Sequence, residues 1–374
     1  MAKTPPPSVT QTIATRTPAA VSLEETLLWL CAIPSPIGEE KELCDAVAER
    51  LSRQELAGPI RRYGNSIVVP VVRARAPGRP HVALVGHLDT VRTENGPARA
   101  EGGRIYGAGA ADMKAGLAVM IVIAESAARL VACDLTLVFY AREEGPYVEN
   151  ELGPVLEADE DLRSIDLAVC LEPSDNKLHL GCCGTLHATV RFEGKTGHSA
   201  RPWEGDNAIV KAHALLARLA ELRPIEHTID GYVYRTVTTV TLANGGRGRN
   251  VVPDGFTLNL NHRFAPTTSL AEAQADVRAL VGEGASVEFT DLSPAALPSA
   301  SHPLVKSLVA AGVEGIEPKQ AWTDVARFSA LGIPAVNFGP GENAQAHQKN
   351  ESTDCKLLFQ GYRILVGWLL GMTT

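Results

Sequence analysis

The apolar positions of this chain follow two spacings that alternate along both of its ends. Helical spacing predicts helices at 22–33, where Ser22 would be the N-cap, and at 39–52. A longer, mostly apolar segment at 115–130 predicts a third helix. Short apolar runs predict buried strands, which lie at 66–72, 81–85, 135–141, 167–171 and 334–338. Strands that alternate with helices indicate an α/β fold, in which helices cover both faces of a mixed sheet.

The middle of the chain has a different order of elements. Its pattern predicts strand, helix, strand, strand, helix and strand, at 186–192, 206–222, 234–242, 256–263, 269–281 and 286–290. This order is the ferredoxin-like βαββαβ arrangement. We therefore predict a small inserted domain at 182–294 and a larger domain built from 22–181 and 295–374. Residues 1–21 include three consecutive prolines and predict a disordered tail.

The composition limits the classes of protein to which the chain can belong. A length of 374 residues exceeds what one hydrophobic core usually organises, which favours two domains. The net charge of -8 argues against a nucleic-acid partner, and the lack of an apolar run of about 20 residues argues against a membrane span. The seven cysteines are odd in number and form no C-x-x-C pair. We therefore expect a cytoplasmic protein without a disulfide framework or a cysteine zinc cluster.

Acidic and imidazole side chains stand at the predicted strand ends, where open α/β sheets place their ligand sites. His87 closes one strand, and Asp89 lies two residues later on the same side of the chain. Its carboxylate could accept a hydrogen bond from the imidazole of His87 and fix its tautomer when the ring binds a metal. Asp112 ends the stretch GAGAAD, in the place of the third glycine of a dinucleotide fingerprint. A carboxylate there would repel a pyrophosphate, so it either bridges two cations or caps the helix that follows.

Three further groups have the same kind of placement. Glu143 and Glu144 are adjacent carboxylates after a strand, and such a pair is costly to bring together without cations. Glu172 follows the next strand, and His347 lies in the loop after the last one. Each group alone also fits an ordinary surface or loop position. Together the groups offer two histidines and three carboxylates without a thiolate, which is typical of catalytic zinc, and leave one acid as a base.

The motifs GHLDTV, GAADMKAG, REEG, LEPS and AHQKNES occur in this order, and together they resemble the dizinc aminoacylase/carboxypeptidase superfamily. The resemblance covers nearly the whole chain from residue 22 onward. It implies a site for two Zn2+, one of them replaceable by Co2+. The implied ligands are His87 and Glu172 on one ion, Glu144 and His347 on the other, and Asp112 bridging both.

The same resemblance implies roles for the other residues of the site. Asp89 would orient His87. Glu143 would remove a proton from a water activated by the two ions and later return it to the leaving amine. A non-proline cis peptide would adjoin Asp112. The expected enzyme is therefore an amidohydrolase that acts on a linear amide.

Within the superfamily, the likeness is greatest to the branch that hydrolyses N-succinyl-LL-diaminopimelate in lysine biosynthesis, and TGHSARP, RNVVP, NHRF and WTDVARF carry it. By this likeness His198 would reach the oxyanion at a partner subunit's active site. Asn250 and Arg263 would hold substrate carboxylates, and Thr323 would belong to the substrate loop. The likeness implies a homodimer, formed through the inserted domain, that acts on a small N-acyl amino acid. Acetylornithine deacetylases and dizinc dipeptidases or carboxypeptidases are alternatives, and a non-catalytic scaffold relative is a remote one.

Overall fold

The computed structural model describes residues 18–74 and 76–372, with side chains from residue 22 onward. The α-helices are α1 Pro18–Ala32, α2 Lys41–Ser52, α3 Lys114–Ser126, α4 Leu152–Ala158, α5 Ala208–Lys211, α6 His213–Glu221, α7 Leu270–Val281, α8 Pro303–Ala310, α9 Val325–Ala330 and α10 Cys355–Gly371. Residues 1–17 of the predicted tail lie outside the described residues. Helix α1 begins at Pro18 rather than at Ser22. Proline is favoured in a first helical turn, because the N–H that it lacks would have no partner there.

The strands form one sheet of eight, one of five and two smaller sheets. They are β1 Arg61–Tyr63, β2 Ser66–Val72, β3 His81–His87, β4 Arg99–Glu101, β5 Arg104–Tyr106, β6 Asp134–Tyr140, β7 Leu167–Cys170, β8 Leu178–Leu180, β9 Gly184–Glu193, β10 Gly197–His198, β11 Ile225–Ile229, β12 Tyr232–Gly245, β13 Val251–Val252, β14 Gly255–Phe264, β15 Ser286–Ser293, β16 Ile316–Pro318, β17 Ala335–Asn337 and β18 Ser352–Asp354. The sheets of eight and of five account for the two regions that the sequence pattern separates.

The eight-stranded sheet has the order β1-β2-β6-β3-β7-β17-β8-β16 and is mixed. Its centre is parallel, since β3 runs parallel to β6 and β7, and β7 to β17, whereas β2 is antiparallel to β6. Side chains of β3 alternate between two cores. Leu84 packs in a core with α1, α2, α3 and α10, whereas Val85 packs with α4 and α9. Helices on both faces explain why the strands are continuous apolar runs, and they confirm the predicted α/β fold.

A five-stranded antiparallel sheet carries the middle of the chain, in the order β11-β12-β14-β9-β15. Helices α5, α6 and α7 pack on it around a core that includes Leu258 and Val277. Its four longer strands have the order of the predicted βαββαβ pattern. Among the buried residues that the structure describes, this core shares none with the cores of the large sheet. The domain limits at 182 and 294 stay a prediction.

Two elements differ from their predicted forms, and others were not predicted, among them helix α10 and strand β11. Segment 206–222 is two helices, α5 and α6, which meet at Ala212. The helix predicted at 115–130 already ends at Ser126, where Ala127 is its C-cap. The additional strand β11 pairs with β12 across Asp230 and Gly231, which both have positive φ. Asp-Gly is a strong hairpin signal, so this strand could be predicted from the sequence.

Two further observations bear on what the composition predicts. Across residues 18–74 and 76–372, no helix combines the length and the apolar character needed to cross a membrane. Six of the seven cysteines, all except Cys355, are free and buried. Burial is typical of an uncharged thiol, and it raises the pKa of Cys31 to about 12.

Candidate metal centre

Four of the predicted site residues follow three neighbouring strands of the large sheet. His87 is the last residue of β3, and Glu172 lies just after β7. Glu143 and Glu144 follow β6, after Arg142, whose backbone is left-handed with φ 64°. Because β3 runs parallel to β6 on one side and to β7 on the other, these residues leave the sheet at the same edge.

Asp112 lies between two groups of side chains. His87, Asp112 and Glu172 have ligand atoms within 4.8 Å of one another. Asp112, Glu144 and His347 form a second such group, also within 4.8 Å. Nε2 of His87 is 3.2 Å from Oδ1 of Asp112, whereas Nε2 of His347 is 3.6 Å from Oδ2. One carboxylate oxygen thus faces each histidine, which is the arrangement that a ligand shared by two cations needs.

The local structure at Asp112 excludes the helix-cap alternative. Helix α3 begins at Lys114 with Met113 as its N-cap, and no described side chain caps it. The peptide bond between Asp112 and Met113 is cis, as the resemblance predicts. The backbone N–H of Asp112 donates to Oε1 of Glu351 at 2.9 Å. The Asp112 carboxylate is therefore left to face the two histidines.

The buried carboxylate of Glu351, which the sequence did not single out, holds the loop before α3. Besides the N–H of Asp112 it accepts hydrogen bonds from the backbone N–H groups of Gly109 at 3.0 Å and Ala111 at 2.8 Å. Burial raises the pKa of Glu351 to about 7, whereas these N–H donors act in the opposite direction. Glu351 also closes the segment that contains His347, so one loop supplies one ligand and positions another. Its place in the AHQKNES motif is the available sequence signal.

The charges of this cluster fit divalent cations. Burial raises the pKa of Glu172 to about 8, and its Oε1 atom is buried with no hydrogen-bond partner among the described residues. Burial, and then the charge of Glu172, raise the pKa of Glu143 well above its usual range. Carboxylates so close together need protons or cations to offset their charge. Oxygen and imidazole ligands without a thiolate suit catalytic zinc or a similar transition metal.

His347 is the most exposed of the five predicted ligands, with 53% of its side chain accessible. Its Nε2 atom is 3.0 Å from Oε1 of Glu144, and this contact raises the pKa of His347 to about 9. A histidine binds a metal as the neutral imidazole, so protons and cations compete for His347. Its backbone is left-handed, with φ 60°, a conformation that clusters at functional sites.

Asp89 contacts two parts of the centre. Nδ1 of His87 is 3.0 Å from the backbone oxygen of Asp89 and 3.6 Å from its carboxylate. The backbone oxygen is thus the closer acceptor that orients the imidazole. The Asp89 carboxylate accepts from the backbone N–H groups of Glu143 at 3.0 Å and of Glu144 at 2.9 Å. It therefore positions the predicted base and a ligand of the second group.

A buried network around Asp324 touches the centre through Tyr140. The Asp324 carboxylate accepts from the Tyr140 hydroxyl at 2.7 Å, from Nδ2 of Asn150 at 3.0 Å, and from Nε of Arg327 at 2.6 Å. The Tyr140 ring meets the His87 ring edge-on, with 6.2 Å between centroids. The WTDVARF motif places Arg327 one turn after Asp324, but the partners Tyr140 on β6 and Asn150, which precedes α4, are distant in sequence.

His198 and Asn250 lie together, away from the described contacts of the metal ligands. His198 is exposed in β10, and its Nδ1 atom accepts from the backbone N–H of Ala200 at 3.1 Å. Asn250 is exposed as well, and its backbone oxygen accepts from the N–H of Ser199 at 3.0 Å. Both residues flank the small sheet that β10 forms with β13. Their proposed roles therefore depend on a second subunit.

Arg263 and Thr323 occupy more enclosed positions. Arg263 is half-buried in β14, and its Nε atom donates to Oδ1 of Asn261 at 3.1 Å. Thr323 is buried directly before Asp324, and its hydroxyl has no hydrogen-bond partner in the described part of the chain. An unpartnered buried hydroxyl is costly, so Thr323 is suited to contact a ligand.

The sequence matches a known family of metal-dependent peptidases over most of its length. Residues 83–370 match peptidase family M20/M25/M40. The chain belongs to this family. It is 41% identical over 324 residues to a Mycobacterium tuberculosis protein assigned provisionally as succinyl-diaminopimelate desuccinylase DapE, over 86% of this chain and 90% of that protein. The succinyl-diaminopimelate desuccinylase of Corynebacterium glutamicum is 38% identical over 331 residues, which cover 86% and 89% of the two chains. Family and relatives together confirm a hydrolase that acts on an amide bond.

Solved structures share the fold of this M20 chain at low sequence identity. Aminopeptidase PepT of Bacillus cereus has a TM-score of 0.74 at 20% identity, over 94% of this chain and 98% of that one. Carboxypeptidase Sso-CP2 of Sulfolobus solfataricus has a TM-score of 0.75 at 15% identity, over 95% and 99%. A Bacillus subtilis protein described as a dinuclear metal-binding M20 peptidase has a TM-score of 0.68 at 14% identity, over 94% and 98%. These structures confirm the α/β fold.

Proposed function

We propose that the chain hydrolyses N-succinyl-LL-diaminopimelate to succinate and LL-diaminopimelate, a step of diaminopimelate and lysine biosynthesis. The desuccinylase relatives, 38% and 41% identical over 86% of the chain, support this substrate. They favour it over acetylornithine and dipeptides. The observation that carries a hydrolytic centre is Asp112, whose two carboxylate oxygens each face a histidine. The complete set of ligands and base speaks against a non-catalytic scaffold relative.

The metals that best suit the two ligand groups are two Zn2+, one of them replaceable by Co2+. The first group is His87, Asp112 and Glu172, and the second is Asp112, Glu144 and His347. Two divalent ions bound there would polarise the amide carbonyl of the substrate and lower the pKa of the attacking water. The chain contributes the spacing of the two groups, which the carboxylate of Asp112 sets.

Glu143 acts as the general base and then as the general acid. One of its carboxylate oxygens lies within 4.8 Å of ligand atoms of His87 and Glu144. Its raised pKa makes it a stronger base than an exposed glutamate. It takes the proton of the attacking water and donates it to the leaving nitrogen. Asp89 keeps it in place through the Glu143 backbone N–H.

The substrate has carboxylates on both sides of the scissile amide, and several residues are candidates to bind them. Arg263 is half-buried, and burial lowers the pKa of its guanidinium, as expected for a cation without a bound anion. Thr323 offers a buried hydroxyl. Asn250 and His198 would act from a partner subunit, with His198 on the oxyanion.

The partner subunit would come from a homodimer formed through the five-stranded sheet. On one side, strand β12 pairs with β14 as far as Gly245, the last residue of β12. On the other side, only the first five residues of β12 pair with β11, so the rest of that edge is open. Apolar side chains are exposed near this open edge, on α5, α6 and β12: Ile209, Val210, Leu216 and Leu242. An open strand edge beside an apolar surface suits a second copy of the chain.

A substrate panel tests the proposed function. The zinc-loaded enzyme is assayed with N-succinyl-LL-diaminopimelate, N-acetylornithine and simple dipeptides, and we expect the highest kcat/KM for the first. Preference for N-acetylornithine would overturn the substrate and leave the metal centre in place. No hydrolysis of any of them, after loading with zinc or cobalt, would support the scaffold alternative.

Glu143→Gln removes the base and keeps the side-chain volume. We expect kcat to fall about 10²- to 10⁴-fold, because proton transfer to and from the reacting groups is lost. The metal content, measured by elemental analysis, should stay at two ions per chain. Glu157→Gln, an exposed change on α4, serves as the control and should leave kcat unaltered. A fully active Glu143→Gln enzyme would remove Glu143 from this role.

A further inference from the structure

A buried lysine, Lys319, stands beside the metal centre without a close partner of opposite charge. Its backbone follows β16 and is anchored by two hydrogen bonds, from its N–H to the oxygen of Leu180 at 3.2 Å and from the N–H of Cys183 to its own oxygen at 3.1 Å. Its side chain is only 9% exposed. Within residues 18–74 and 76–372, the ammonium makes no hydrogen bond and no ion pair. A buried charge in this state is costly.

Strand pairing puts Lys319 on the face of the large sheet that leads to Glu172. Glu317, two residues before Lys319, is opposite His179, and His179 is opposite Asn337. Asn337 is in turn opposite Cys170, two residues before Glu172. Burial raises the pKa of Glu172 to about 8, and the charge of Lys319 opposes that rise. Burial acts to raise the pKa of Asp112, but the hydrogen bond from His87 outweighs it and lowers this pKa. The positive charge of Lys319 also lowers it. Cations in the two ligand groups would offset these carboxylates. Lys319 would then lack a compensating anion, which a substrate carboxylate can supply.

Polar groups with unmet hydrogen bonds lie on β8, the strand next to the one that Lys319 follows, and on β17 beyond it. Asn337 is fully buried, and neither its Oδ1 nor its Nδ2 atom has a partner in the part of the chain that is described. It is the strand neighbour of His179, whose Nδ1 atom is also unpartnered, so the two side chains share one face of the sheet. Burial, and then the charge of Lys319, lower the pKa of His179 to about 4, which keeps this imidazole neutral.

Thr323 completes the same set. Its backbone oxygen accepts from Sγ of Cys182 at 3.6 Å, next to the Cys183 N–H that holds Lys319. Its buried hydroxyl is unpartnered, as stated above. Lys319, Asn337 and Thr323 thus place an ammonium, an amide and a hydroxyl, all hydrogen-bond donors, beside the Glu172 side of the centre. A carboxylate accepts hydrogen bonds from donors of these kinds.

We propose that Lys319, together with Asn337, Thr323 and His179, binds a carboxylate of the substrate beside the Glu172 side of the metal centre. The proposal rests on the proposed function for the identity of that substrate. The carboxylate belongs either to the succinyl group or to the diaminopimelate moiety. The chemistry is the same for both, and the experiment separates them.

The test compares Lys319→Met and Lys319→Arg with a matched control, Lys177→Met. Lys177 pairs with Glu317 at 2.6 Å in a more exposed place on the same side of the sheet. For Lys319→Met we expect kcat/KM for N-succinyl-LL-diaminopimelate to fall about 10- to 100-fold, as for the loss of a hydrogen bond to a charged group. Lys319→Arg should keep most of the activity, and Lys177→Met all of it. Each variant should still bind two zinc ions.

Product binding identifies the carboxylate and does not depend on turnover. Succinate and LL-diaminopimelate are titrated calorimetrically into the zinc-loaded variants. Weaker succinate binding by Lys319→Met, with N-acetyl-LL-diaminopimelate turned over normally, would assign Lys319 to the acyl side. Weaker LL-diaminopimelate binding, with both N-acyl substrates impaired equally, would assign it to the amine side.

Two results would overturn the proposal. One is unchanged affinity for both products in Lys319→Met. The other is a loss of zinc from that variant with product affinity intact, which would mean that Lys319 serves the ligands alone. Lys319→Gln is a second neutral variant, and far-UV circular dichroism checks that each one folds. If the wild type hydrolyses none of the panel substrates, the proposed function fails, whereas the product titrations still decide whether Lys319 binds a carboxylate.

Discussion

At the scale of single residues, the centre relies on backbone groups as much as on side chains. The backbone oxygen of Asp89 orients His87, and the Asp89 carboxylate accepts the N–H groups of Glu143 and Glu144. Glu351 does the same for the loop that carries Asp112. In both cases a buried carboxylate holds neighbouring backbone through hydrogen bonds. Such outer contacts tune metal affinity nearly as much as the ligands do.

Asp89→Asn tests whether the Asp89 carboxylate is needed to hold the backbone of Glu143 and Glu144. The amide can accept one of the two N–H groups through its oxygen, but its Nδ2 would face the other donor. We expect the affinity for at least one zinc ion, or kcat/KM, to fall about 10- to 100-fold. Metal affinity is measured by competition with a chelator, and Asp276→Asn, exposed on α7, is the control. Unaltered binding of both ions would show that the carboxylate is dispensable.

At the scale of elements, close contact between α3 and the end of β7 sets the distance between two ligand segments. Gly116 lies in the first turn of α3, and a Cβ atom there would be 2.5 Å from the backbone oxygen of Leu171. Leu171 immediately precedes Glu172, and Asp112 lies just before the helix. The helix can therefore approach this strand end only because position 116 has no side chain.

Gly116→Ala is expected to lower stability by about 1–3 kcal/mol, because backbone must move to accept the added methyl group. Gly367→Ala is the matched control, since a Cβ atom at this exposed position in α10 would meet nothing within 4 Å. Alanine there should raise stability by about 0.5–1 kcal/mol through helix propensity. Urea unfolding of both variants gives the comparison. An unchanged midpoint for Gly116→Ala would mean that the contact with Leu171 can relax.

Strand ends explain why the sequence alone could single out most of the candidate ligands. His87, Glu143, Glu144 and Glu172 each follow a short apolar run, and parallel neighbours bring such ends to one edge. Asp112 and His347 were candidates as well, but each kept an ordinary alternative, because a loop residue has no periodicity that indicates where it points. The Asp230 hairpin was missed although its turn signal is local, and the break at Ala212 has no clear signal in an amphipathic segment.

The surroundings of Lys319 and Asp324 could not be predicted from local sequence patterns. The hydrogen-bond partners of these two residues include residues of β6 and β8, and nothing in the chain near residue 319 indicates that this lysine will be buried. The same holds for Asn337, which ends an apolar strand as an ordinary polar residue would. These contacts depend on tertiary packing, so only the structure identifies them.

At the scale of the whole molecule, the proposed catalytic groups and the proposed oxyanion donor belong to different sheets. The ligands and Glu143 lie at one edge of the large sheet, whereas His198 is exposed beside the five-stranded sheet and contacts its own loop. In the proposed homodimer, each active site would combine the metal centre of one subunit with the His198 of the partner. Each subunit alone would then be incomplete.

Mixed dimers test this arrangement directly. Glu143→Gln and His198→Ala chains with different tags are co-expressed, and the dimers that carry both tags are purified. If His198 acts across the interface, the His198→Ala subunit keeps its own Glu143 and receives His198 from its partner, so one site of two is complete. Activity should then be about half that of the wild type, although both parent homodimers are nearly inactive. If His198 acts within its own subunit, both sites of the mixed dimer are defective, and its activity should remain at the level of the parents.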